Sequence, residues 1–108
     1  MTFDDYQTNA RKTSIYPDKF GLIYPALGLA SEAGEVAGKI KKALRDDEGK
    51  ISDERRQKIK EELGDVLWYA AQLATDLDLN LGEIAEGNIM KLQSRKDRGV
   101  LAGSGDNR

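Results

Sequence analysis

The sequence predicts an all-α protein, and three observations carry that prediction. Both prolines, Pro17 and Pro25, fall in the first quarter of the chain, so no later residue breaks a helix on that account. Ile59, Leu63, Val66, Ala70, Leu73 and Leu77 recur at alternating spacings of four and three, the period of a bundle helix. Helix-capping side chains, Thr2, Ser52 or Asp53, and Asn80, stand where new helical patterns begin. A chain of 108 residues has room for one domain. The expected architecture is four-helix-bundle-like over residues 1–99, a short N-terminal helix and three longer ones, with a glycine-rich tail over 100–108.

The first helix starts at Thr2, places Asp4 and Asp5 in its first turn where the helix dipole favours acids, and runs to about Lys12. Residues 13–24 contain Pro17 and Gly21 and read as a loop. Pro25 suits a first helical turn and opens a second helix that reaches about Arg45. The stretch DDEGK, residues 46–50, is the turn into a third helix that ends near Leu77. Asn80 caps the fourth, with Glu83 as its capping-box partner, and that helix runs to about Arg98. The tail has no helical period and is expected to be extended or mobile. Wide apolar faces on so small a bundle leave little core volume, so a homo-oligomer is expected.

Composition excludes much chemistry. With 17 Lys+Arg against 19 Asp+Glu the net charge is -2, which gives no global attraction to nucleic acid or membrane surfaces. No cysteine and no histidine are present. Disulfides, thiolate and Ser-His-Asp catalysis, and metal sites built on Cys or His are therefore ruled out. The N-terminus is polar and acidic, unlike a signal peptide, and the expected location is cytoplasmic. Chemistry is left to carboxylates, lysines, arginines and hydroxyls.

Four carboxylates stand out, in two pairs spaced i, i+3: Glu32 with Glu35, and Glu62 with Asp65. That spacing puts each pair on one helix face. Glu32 and Glu35 lie in PALGLASEAGEVAGKI, and Glu62 and Asp65 lead into VLWYAAQLA, both otherwise apolar or small. Gly28, Gly34, Gly38 and Gly64 sit inside the same two helices at a cost of roughly 1 kcal/mol each, easiest to explain by close approach of backbones or a ligand. Carboxylates converging from facing helices repel one another unless their pKa values rise or a cation binds. Oxygen donors alone suit a hard divalent ion, Mg²⁺, Mn²⁺ or Ca²⁺. Glu61 is a spare carboxylate able to orient a water on such an ion. A solvated acidic face paired with Lys58 and Lys60 is the competing reading; a di-iron bundle is set aside because it needs histidines.

The pattern Glu32-x-x-Glu35, 26 intervening residues, then Glu62-x-x-Asp65 resembles the signature of the all-α nucleoside triphosphate pyrophosphohydrolase superfamily, in particular its MazG-like branch. FDDYQTNARKT resembles that family's first helix, LGLASEAGEVAGKIKK and EELGDVLWYAAQLA its two acidic helices, and NIMKLQSRKDRG its terminal Asn-x-x-Lys-Leu-x-x-Arg helix. The resemblance implies Mg²⁺-dependent cleavage of nucleoside triphosphates to monophosphate and pyrophosphate, with Mn²⁺ as a possible substitute. A metal-activated water then attacks the α phosphorus. It also implies a homodimer or a dimer of dimers, a nucleotide-cleaning role, and Glu32, Glu35, Glu62 and Asp65 as metal ligands. Glu35 and Glu61 are the candidate catalytic residues. Ser31 stands where some relatives carry a further glutamate, which weighs against a fully occupied multi-metal site and against the dUTPase branch.

A triphosphate needs cations as well as a metal. Lys39 and Lys42 follow Glu35 on one helix face, and Asn88, Lys91 and Arg95 form a polar stripe on the fourth helix. These five are the candidate phosphate-binding residues. Trp68, three residues after Asp65, is the candidate to stack on a base, with core packing as its competing role. The rival functions are dUTP or phosphoribosyl-ATP pyrophosphohydrolysis, and a non-catalytic helical interaction module.

Overall fold

The structure is a computed structural model that describes residues 1–108, all-helical and without strands. The helices are α1 (Phe3–Arg11), α2 (Ile23–Asp47), α3 (Asp53–Asp76) and α4 (Leu81–Asp97), with a short 3₁₀ turn at Asp18–Phe20. The α2–α3 antiparallel hairpin is the frame; α1 lies along α3, and α4 joins α1. No helix is long and apolar enough to cross a membrane.

The caps follow the sequence. The Thr2 hydroxyl accepts from the Asp5 N–H and the Asp5 carboxylate accepts from the Thr2 N–H, a complete capping box. Ser52 rather than Asp53 caps α3, its hydroxyl accepting from the Arg55 N–H at 3.1 Å. Asn80 accepts from the Glu83 N–H at 3.2 Å, but the return bond from the Glu83 side chain is missing, so the expected capping box is half formed.

Two boundaries differ from expectation. α2 begins at Ile23, two residues before Pro25, because Leu22 turns the chain with φ 67 and ψ −55 while the Ile23 N–H reaches the Gly21 carbonyl at 2.8 Å. That strained γ-turn is held from outside: the Leu22 N–H donates to Asp76 Oδ2 at 3.2 Å. α2 also runs on through Asp46 and Asp47, where a turn was expected, and Asp47 receives the Arg55 guanidinium at 2.7 Å.

α1 is fastened to the rest by polar contacts. Gln7 donates to the Thr75 hydroxyl and the Leu79 carbonyl and accepts from the Leu81 N–H, while Asp4 accepts from the Gly82 N–H. Around these sits a small core of Ala10, Ala71 and Leu81, with Tyr6, Leu67 and Trp68 packed on it.

The heptad stripe is not the core of one chain. On α3 the buried residues are Ala71, Gln72 and Ala74, while Leu63 and Leu77 are 54% and 48% exposed. In all, eight of 108 residues are buried. The radius of gyration, 16.7 Å, exceeds the about 13 Å of a compact chain of about 100 residues. The apolar faces are present, as the periodicity predicts, but one copy leaves them open.

Close approach within the chain accounts for one of the four glycines. A Cβ on Gly28 would collide with the Tyr69 ring, so the absence of a side chain lets Tyr69 cross α2. Gly34, Gly38 and Gly64 face open space. Gly28→Ala is therefore expected to lower stability by about 1–3 kcal/mol through overpacking, outweighing alanine's roughly 1 kcal/mol helix advantage. A thermal melt at fixed protein concentration checks the sign; an unchanged or raised midpoint would show that Tyr69 yields freely.

The tail also departs from expectation. Instead of extending, it folds back on the end of α4 around Arg108, whose guanidinium donates to the carbonyls of Val100, Leu101 and Gly105. Gly103 and Gly105, at φ 108 and 98, permit the turn.

Candidate metal centre

Antiparallel pairing of α2 and α3 brings the two acidic pairs face to face. Carboxylate oxygens of Glu32, Glu62 and Asp65 lie within 4.8 Å of one another. Glu32 and Glu62 are half-buried and Asp65 is exposed, so the cluster opens to solvent on one side. Glu35, the fourth acid of the pattern, is exposed and stands outside this trio, one turn along α2 from Glu32.

The electrostatics are those of crowded like charges. Glu32 is raised above the usual carboxylate range, first by its hydrogen bond to Glu62, then by desolvation and by the charges of Glu62, Asp65 and Glu35. Glu62 is lowered, by that same hydrogen bond and by Lys39, whose Nζ lies 3.3 Å from Glu62 Oε1. The repulsion that raises Glu32 is of the kind a bound cation would relieve. Three oxygen donors with no nitrogen or sulfur fit a hard divalent ion such as Mg²⁺. Glu61 is exposed on α3 one turn before Asp65 and is not part of the cluster.

The other candidates divide. Lys39 reaches the site directly, and Lys42 is exposed one turn further along α2. The α4 stripe is remote from the acids within one chain, since α4 packs chiefly on α1. Asn88 and Lys91 are exposed there, while Arg95 is 8% exposed and donates to the Asp106 carbonyl at 2.9 Å, organising the tail. Trp68 belongs to the α1–α3 seam, its indole N–H donating to the Thr13 hydroxyl at 2.8 Å.

Two aromatic residues near the acids escaped the sequence reading. Tyr69 lies one turn after Asp65 and meets Trp68 edge-on at 5.0 Å and Tyr24 at 6.2 Å between ring centroids. Its hydroxyl is pushed up by burial, then by Tyr24 and by the charges of Glu32 and Asp65, which places it beside the cluster. Tyr6 of α1 is likewise raised, by burial and then by Asp65. For Tyr69 the signal was available, since it shares a helix face with Asp65 at i+4.

Comparison with known proteins agrees with this geometry. The family described as MazG nucleotide pyrophosphohydrolase domain matches residues 25–100, a span that holds all four acids of the pattern. The chain is also similar to Gene 37 protein of Mycobacterium phage L5, 54% identical over 114 aligned residues that cover 100% of each chain. No solved structure matches.

Proposed function

The chain belongs to the MazG nucleotide pyrophosphohydrolase family, and from that premise we propose that it hydrolyses nucleoside triphosphates to monophosphate and pyrophosphate with Mg²⁺, Mn²⁺ being a possible substitute. The observation that carries this reading is the convergence of Glu32, Glu62 and Asp65 across the α2–α3 hairpin. These three carboxylates would hold the ion, with Glu35 free to join them. Bound there, Mg²⁺ would supply charge neutralisation for the triphosphate and would acidify a water.

The chain's own groups do the rest. Glu35 and Glu61, both exposed near the trio in sequence, would take the proton of the attacking water. The water oxygen bonds to the α phosphorus. The bridging P–O bond breaks with its electron pair remaining on the β phosphate, which departs as pyrophosphate. Lys39, already in contact with Glu62, adds positive charge where the phosphates must lie.

Turnover tests the reading. Chelator-stripped protein is given the eight common ribo- and deoxynucleoside triphosphates and dUTP, with and without Mg²⁺. Monophosphate and pyrophosphate are expected only with metal; diphosphate and orthophosphate would overturn it. A strong preference for dUTP would move the chain to the dUTPase branch.

Assembly is the second part of the proposal. Leu27, Leu44, Ile89 and Met90 are each at least 66% exposed, in a chain with eight buried residues. We infer a homodimer or a dimer of dimers that covers these faces and brings the Asn88/Lys91 stripe of one copy toward the acids of another. Sedimentation is expected to give two or four times 11.9 kDa; a stable monomer would contradict it.

A further inference from the structure

At the end of α4 the tail covers a cation that no acid neutralises. Arg95 is 8% exposed, yet it forms no ion pair with any carboxylate of the chain. Its hydrogen bond goes to the Asp106 carbonyl at 2.9 Å. The acids close to it in the fold are turned elsewhere: Asp97 accepts from the Gln93 amide, and Asp106 offers its main chain rather than its carboxylate. A guanidinium withdrawn from water is ordinarily matched by an anion, because a neutral acceptor restores only part of the hydration it has lost.

The segment that covers Arg95 is lightly fastened. Arg108 closes it by donating to the carbonyls of Val100, Leu101 and Gly105, and Arg98 reaches the main chain of Arg108. No hydrogen bond joins residues 100–108 to α1, α2 or α3, and Leu101 stays 47% exposed, so little apolar surface is hidden. Gly99, Gly103 and Gly105 hold φ values of 72, 108 and 98. A stretch with three such glycines recovers much conformational entropy when it is released. It can open without disturbing the α2–α3 hairpin.

Asn88, Lys91 and Arg95, spaced i, i+3 and i+7, share one face of α4. The first two are open to solvent, and only the third is covered. We propose that residues 100–108 are an autoinhibitory strap, which in its closed state occupies Arg95 with the Asp106 carbonyl and must open before the α4 face can act on a substrate. The exchange runs in favour of substrate. A phosphate oxygen is a charged acceptor that makes bonds roughly twice as strong as a neutral carbonyl does, and its geometry suits the guanidinium fork. A strap closed about nine-tenths of the time would weaken apparent substrate affinity about tenfold. The proposal rests on the pyrophosphohydrolase reading above and adds a regulation of that activity.

Two measurements test it. In the heteronuclear NOE of the ¹⁵N-labelled full chain, Gly103 and Gly105 should be as rigid as α4, and Arg95→Gln or Arg108→Gln should release them. In turnover with Mg²⁺, a chain ended at Gly99 and the Arg108→Gln variant should each lower KM about three- to tenfold at unchanged kcat. Ending the chain at Gly99 in the Arg95→Gln background should then change nothing further, because the strap has lost the group it covers. Arg108→Gln and the shortened chain carry the test alone if Arg95→Gln does not fold. Glycines equally mobile in the wild type and the variants, a KM unchanged or raised by removing the strap, or an equal fall in the Arg95→Gln background would each overturn the proposal. Those results with normal turnover would sink the strap alone; no turnover by any folded form would sink the hydrolase reading and the strap with it.

Discussion

Asp65→Asn is expected to lower Mg²⁺-dependent turnover by a hundred- to a thousandfold, on the order of what removal of one preorganised electrostatic group costs. The reason is geometric. Asp65 is one of only three carboxylates that meet across the hairpin, and no neighbouring acid is within the same 4.8 Å to replace it. An amide keeps the shape but removes the charge that holds a divalent ion. The same change should also relieve repulsion in the metal-free protein, because the Asp65 charge helps to hold Glu32 above its usual range. Thermal melts then give a second, independent signature. The wild type should gain stability on adding Mg²⁺, as any ligand of the native state must confer, and Asp65→Asn should not. Loss of turnover with the metal response intact would assign Asp65 to the substrate rather than to the ion. Full turnover in a folded variant would remove the site assignment altogether.

Asp76→Ala carries the largest expected cost in stability, about 3 kcal/mol at neutral pH. Asp76 is 7% exposed and accepts from three directions: the Tyr16 hydroxyl at 2.7 Å, the Arg11 guanidinium at 3.0 Å and the Leu22 N–H at 3.2 Å. Removing it takes the acceptor from the Tyr16 hydroxyl and the Leu22 N–H and the ion-pair partner from Arg11, and releases the strained turn that starts α2, so α1, the loop and both long helices loosen together. The pH dependence has a definite sign. Burial raises the Asp76 carboxyl, but the Tyr16 and Leu22 hydrogen bonds and Arg11 outweigh it, and the net shift is downward. A carboxyl held lower in the folded state stabilises fully above its unfolded value of about 3.9, and that stability disappears as pH falls through the folded value. Denaturant melts at pH 7 and near pH 3, at one protein concentration, should therefore show the gap between wild type and variant narrowing in acid. A gap that is constant or widens would mean that the ionised carboxylate is not what the three donors hold.

What was legible in the sequence is what local pattern can encode. Thr2, Ser52 and Asn80 cap the helices they precede because a short polar side chain satisfies free N–H groups within its own turn. The i, i+3 acids were legible for the same reason, since helix geometry alone fixes the face they share. Their convergence needed only one further fact, that a short turn folds α2 back on α3. The rest depends on partners far away in the chain. The Leu22 turn exists because of Asp76, 54 residues on, and nothing near Leu22 announces it. Trp68 is turned toward α1 by Thr13, 55 residues earlier, and its spacing from Asp65 says nothing of that contact. The tail is ordered by one arginine that collects carbonyls, a pattern without periodicity. The heptad of α3 correctly marks an apolar face, yet spacing does not say whether a face closes within one chain or against another. Leu63 at 54% exposure shows that in a single chain it does not.

The central claim, attack of water on the α phosphorus at the carboxylate cluster, is tested most directly by isotope. Turnover of a preferred triphosphate with Mg²⁺ in ¹⁸O-labelled water, read by mass spectrometry of the separated products, reports which phosphorus the water joined. The account predicts one ¹⁸O in the nucleoside monophosphate and none in pyrophosphate. Label in pyrophosphate, or in orthophosphate released beside a diphosphate, would contradict it.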